Sequence, residues 1–234
     1  MKGLLFFVSF FLTLITTMVY AQEPPVQVVY RFDDHRYLEL KGWDCEGELW
    51  YTDTQRQIHS IIASQFYRIF TRQYIHPSER YIAIPWWGKV TTGFSASKDY
   101  GLTWEIGGAR ISPGPNEPNG DDTPYYDDVI SFTVVNDQGF LLTKNSLYMS
   151  SKPFDDPRLA TGGPGIDYQI NGDHHHIKPE FPGPAWGLDY ITKRGLAEDT
   201  AQYHTNYQDL PDKVPEVKNY QGWDHMRCDM DAGR

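Results

Sequence analysis

The chain has 234 residues, with 21 Lys and Arg against 31 Asp and Glu and a formal net charge of −10. An acidic surface repels nucleic acid and anionic membrane, which argues against both as partners and makes a basic protein the better electrostatic match. The same charge also serves solubility alone.

The first element is a leader. Lys2 is its only charge, the apolar run Leu4 to Ile15 follows, and Val19-Tyr20-Ala21 offers small residues for a peptidase, which is the order of a cleavable secretory signal. The run is shorter than the roughly 20 apolar residues a membrane span needs. No Cys lies near the cleavage point, so the expected product is an unanchored chain starting at Gln22 with no membrane insertion. Residues 22–234 then form a single mainly-β domain, strand-rich over 26–150 and loop-rich over 151–234.

β-Branched and aromatic residues alternate with turn formers from Val26 onward. Predicted strands are Val26 to Phe32, Arg36 to Leu40, Glu48 to Thr52, Tyr81 to Pro85, Gly93 to Ser97, Val129 to Val135 and Phe140 to Lys144. Asn136 to Gly139 joins the last two as a hairpin, with Gly139 expected to supply a positive φ. Between 58 and 70 the apolar residues Ile58, Ile61, Ile62, Phe66, Ile69 and Phe70 also fit helical spacing, but the composition favours strand. The fold class is therefore mainly β, with antiparallel sheets, propeller-like or a sandwich. The Gly- and Pro-rich stretch from Phe154 to Pro184 predicts loops, and the tail from Gly187 predicts an extended segment across the surface.

Cys45 and Cys228 are the only cysteines. In an oxidising compartment such a pair closes, tying the start of the domain to its end. The sharpest local motif is Ser97-Lys98-Asp99-Tyr100-Gly101-Leu102-Thr103-Trp104, which matches the Asp-box pattern S-x-D-x-G-x-T-W of sialidases and other propellers. Its role is structural: Ser97, Asp99 and Thr103 cap the turn, Gly101 takes its special angles and Trp104 packs beneath. A single copy supports a hairpin more than a propeller.

Asp173-His174-His175-His176 with Glu180 invites a metal reading, yet only His174 and His176 share a side of an extended segment, and an exposed polar loop is the plainer account. The acidic pairs Asp121-Asp122 and Asp127-Asp128 lack a recognised calcium-loop spacing. There is no G-x-S-x-G elbow, and Asp33, Asp34 and Glu39 are carboxylates with no spacing that marks an acid and base pair. No catalytic residue, metal ligand or cofactor is assigned. Among the tryptophans, the doublet Trp86-Trp87 cannot turn both rings inward, so one faces a partner or the loop-rich part.

Three segments carry a wider likeness: Val29-Tyr30-Arg31-Phe32-Asp33-Asp34-His35-Arg36-Tyr37-Leu38-Glu39-Leu40, Cys45-Glu46-Gly47-Glu48-Leu49-Trp50-Tyr51, and Tyr74-Ile75-His76-Pro77-Ser78-Glu79-Arg80-Tyr81-Ile82-Ala83-Ile84-Pro85. With the Asp box behind them, they resemble the immunity proteins paired with family 3 lipase effectors of the bacterial type VI secretion system. The resemblance implies a periplasmic, non-enzymatic protein that binds and neutralises a cognate phospholipase, and it transfers no individual contact residue. The alternative, drawn from the Asp box and the aromatics, is a secreted carbohydrate-binding or carbohydrate-active protein. A structural envelope protein is a third reading.

Overall fold

A computed structural model describes residues 22–87, 92–108, 124–150, 158, 162–170, 173–178, 190–193 and 211–234. Residues 1–21, read above as a leader, the 121–122 acidic pair, Glu180, Phe181 to Pro184 and Trp186 lie outside these residues. The protein is mainly β with antiparallel sheets, as the alternation predicts. No helix among the described residues is long and apolar enough to cross a membrane.

The chain opens with a four-stranded meander of β1 (Val26–Arg31), β2 (Arg36–Trp43), β3 (Glu46–Asp53) and β4 (Ile58–Arg68), paired in that order. A short β5 (Gln73–Ile75) leaves this sheet and joins another. The three-stranded sheet of β6 (Ile82–Trp87), β7 (Thr92–Ser97) and β8 (Glu105–Gly108) follows. Then come β9 (Val129–Val135), β10 (Gln138–Thr143) and β11 (Leu147–Met149), which with β5 and β14 (Ile191–Thr192) make a five-stranded sheet. One pairing departs from the antiparallel rule. β5 runs parallel to β9 because the chain reaches it only after the excursion through β6 to β8.

The region between 58 and 70 is strand, and its helical spacing has a physical cause. Between the pairs Leu49↔Ala63 and Gly47↔Tyr67, β4 advances four residues while β3 advances two. That bulge interrupts the period of two and holds Phe66 at φ 58°. The β9–β10 hairpin also corrects an expectation. Its positive φ values fall on Asn136 and Asp137, so the turn is of the two-residue kind. Gly139 is needed for another reason: a Cβ there would lie 2.2 Å from the Tyr190 hydroxyl. In the segment expected to be loop, β12 (Ile166–Ile170) and β13 (Asp173–Ile177) form a hairpin, which puts His174 to His176 on a strand.

The sheets meet across one aromatic core that includes Tyr30, Phe32, Tyr51, Tyr74, Phe94 and Phe132. Three of its phenols bond to backbone: Tyr30 donates to the Tyr74 carbonyl at 2.9 Å, Tyr74 to that of Ala83 at 2.7 Å, and Tyr67 to that of Pro85 at 3.0 Å. Trp86 packs against this core, which answers half of the doublet question. Such buried polar contacts fix which strands face each other, where apolar packing alone is less selective.

The C-terminal segment is extended, as its composition predicts, and it closes the free edge of β1. Trp223 and Arg227 donate their amides to the carbonyls of Arg31 and Val29, each at 2.8 Å. Tyr74 donates to Asp224 from the other side, so the strap bridges two sheets. Cys45 and Cys228 are joined, 183 residues apart in sequence, and pin the strap to the β2–β3 turn.

Candidate functional site

Alternation along β1 to β4 sends Tyr30, Leu38, Leu40, Leu49 and Tyr51 into the core. The intervening residues form the other face, in cross-strand rows. One row is Val28, Glu39, Trp50 and Ile61; the next is Arg31, Tyr37, Thr52 and His59. A third places Val26, Lys41 and Glu48 side by side. This face is open to solvent at Ile61 (41% exposed), Val26 (59%) and His59 (side chain 59%).

Its centre is ordered by local contacts. The Trp50 and His59 rings stack 4.8 Å apart and 9° from parallel, and the indole N–H donates to Glu48 at 3.0 Å. The Thr52 hydroxyl donates to Glu39 Oε2 at 2.8 Å and lies 2.9 Å from His59 Nδ1. Here a hydroxyl, an imidazole and a carboxylate meet, but in the order carboxylate, hydroxyl, imidazole. A nucleophilic triad needs the imidazole in the middle, so the hydroxyl here is not set up for activation. At the edge of the face the Arg31 guanidinium lies over the Tyr37 ring, 5.2 Å from its centroid.

Arg31 also lines a recess of about 480 Å³ together with Asp33, Asp34, Gln221 and Trp223. Asp33, Asp34 and His35 bring their ligating atoms within 4.8 Å of one another. Asp33 is already committed. Its carboxylate accepts the amides of His35 (3.0 Å) and Arg36 (2.7 Å) and the Arg36 Nε–H (2.7 Å). Arg36 is buried and donates onward to the Ser78 carbonyl at 2.7 Å, so the group ties a turn to a neighbouring loop. The His35 ring hydrogen-bonds to Asp34 at 2.8 Å and holds that carboxyl below its ordinary range. Asp33, Asp34 and Glu39 are therefore separated by role: two shape the β1–β2 turn and the third sits on the open sheet.

The Ser97–Trp104 turn is tightly bonded. Ser97 Oγ donates to Asp99 at 2.8 Å and accepts the Gly101 amide at 2.8 Å, while Asp99 accepts the amide and hydroxyl of Thr103 at 2.9 and 2.6 Å. Gly101 has φ 90°, and Trp104 meets Tyr51 edge-on and donates to Ser60 at 2.9 Å. In the second hairpin His174 and His176 are both exposed, and the His176 ring pairs with Asp167 across the strands at 2.8 Å.

Reasoning from sequence left the partner-binding residues unassigned. The signal was present in Tyr37, Glu39 and Lys41 alternating with Leu38 and Leu40, but alternation does not say whether the outer side is covered. Residues 22–141 match the T6SS Tli3 immunity protein family. No curated protein matches the chain. The matched segment spans just over half of the 234 residues and includes the whole β1–β4 sheet, and the chain belongs to the Tli3 family of type VI secretion immunity proteins.

Proposed function

We propose that this protein is exported to the periplasm, where it binds a lipase effector of the type VI secretion system and blocks it by stoichiometric occlusion. Family membership is the observation that carries the reading. Support comes also from the signal-like order of residues 1–21 and from the Cys45–Cys228 bridge, which suits an oxidising compartment. The Ser97–Trp104 turn then serves folding and takes no part in recognition. A binder with this role occupies its target and performs no chemistry on it.

The test is survival. Cells receiving the effector in the periplasm are supplied with the full-length chain or with a form lacking residues 1–21, at matched expression. Protection by the full-length chain alone supports the proposal; equal protection by both forms contradicts export as the route. A second reading draws on the Trp50–His59 platform, since an aromatic ring flanked by Glu39 and Glu48 also suits a sugar. Binding to oligosaccharide by calorimetry, with none to the effector, would favour it.

A further inference from the structure

We propose that the outer face of β1–β4, continued into the recess at Arg31, is the surface that docks the effector, and that it recognises a basic patch: an Arg or Lys presented among apolar side chains. This rests on the immunity reading and adds the face and the partner chemistry. Several carboxylates among the described residues pair with Arg or Lys: Asp53 and Glu79 with Arg56, Glu46 with Arg68, Asp128 with Lys144, Asp212 with Lys193.

Asp34, Glu39 and Glu48 do not, and neither do Asp99, Asp167 and Asp224; what sets the three apart is that Glu39 and Glu48 flank Trp50 on one sheet and Asp34 stands in its β1–β2 turn. Asp34 meets only His35, Glu39 meets Thr52 and His59, and Glu48 meets the Trp50 indole. No Arg or Lys among the described residues reaches any of the three within ion-pair distance. The cations of this face stand at its flanks, Arg31 held over Tyr37 and Lys41 in the outermost row. Its centre is thus a carboxylate between Val28 and Trp50, with negative charge not neutralised from within.

An aromatic ring beside a carboxylate is the pair that receives a guanidinium, which forks onto the oxygens and lies against the ring. Tryptophan is also among the side chains most enriched as interface anchors. Two other sides of the sheet are taken: the inner face is core, and the strap covers the β1 edge. On β4, Phe66 is 72% exposed and held at a positive φ that bulky residues rarely adopt, a strained aromatic at the border of the same sheet. The chain's net charge of −10 extends the attraction for a basic partner beyond contact range.

Titration calorimetry of the purified chain against its purified cognate effector tests this. Glu39→Lys and Trp50→Ala should each weaken binding by about tenfold or more, and Glu39→Gln, which keeps an acceptor for Thr52, by less. Ile130→Lys, on the exposed side of β9 (48% exposed), should leave affinity unchanged. Thermal melts of each variant separate lost contacts from lost folding, and Glu39→Gln keeps the test open if Trp50→Ala unfolds. Wild-type binding with Glu39→Lys and Trp50→Ala both within about threefold of it overturns the docking face and leaves the immunity reading standing. A wild-type chain that does not bind the effector overturns both.

Discussion

Single side chains in this protein repeatedly replace regular structure where the strands turn. Asp33 and Asp53 each accept the amides two and three residues on and the guanidinium of the Arg three residues on, Arg36 and Arg56. Asp99 does the equivalent work in the Ser97–Trp104 turn, and Asp99→Ala should cost about 1 to 3 kcal/mol in denaturant unfolding while leaving effector affinity unchanged. Burial alone would raise the carboxyls of Asp53 and Asp99, but the hydrogen bonds they accept outweigh it and both sit below the ordinary value. His76 adds a larger pH effect. It is fully buried, its Nε2 accepts the Ala83 amide at 3.0 Å, and burial with the nearby Arg36 cation pushes it down to about 3. Unfolded, the same ring takes its proton near pH 6.5. The unfolded state therefore binds more protons between those values, and stability is full above about pH 6.5 and falls as pH drops towards 3. The two aspartates add to the loss below about pH 3.8, as their depressed carboxyls protonate. Urea unfolding across this range should show the slope, and His76→Gln, which keeps an acceptor for Ala83, should flatten it above pH 4. An unchanged profile would mean that His76 titrates normally.

At the scale of elements, strands long enough to show their period were readable: β2 alternates buried and half-buried residues along its length, and β9 and β10 flank an evident turn. The bulge in β4 hid its register because extra residues reset the alternation and mimicked helical spacing. β5, β11 and β14 have only two or three residues each, too few for any period, and depend on pairing partners. The docking face was half readable, since the order of Glu39 and Trp50 along their strands was plain and the openness of their side was not. Of the connecting elements, the strap is the one whose anchoring was foreseen, through Cys45 and Cys228. The paired substitution Cys45→Ser, Cys228→Ser should cost about 2 to 5 kcal/mol. Hydrogen exchange should then rise first at the Trp223 and Arg227 amides, which bond to β1, and later in the β2–β3 core. Simultaneous exchange of strap and core would show that the two unfold as one unit.

For the whole molecule, an aromatic core, a covalently pinned strap and an acidic exterior suit the exported binder proposed above, whose action would be occupancy. Rigidity limits what ordering the surface costs on binding, so affinity can rest on a few anchors. The net charge of −10 gives a further expectation: association with a basic effector should slow as salt rises, and dissociation should change much less. Stopped-flow mixing at several salt concentrations checks it. The central claim, neutralisation by occupancy, is tested most directly by titrating the activity of the proposed lipase effector with this protein at effector concentrations well above the dissociation constant. The account predicts activity that falls in a straight line and vanishes near equivalence; complete inhibition at a small fraction of an equivalent, or undiminished activity with the protein in excess, would contradict it.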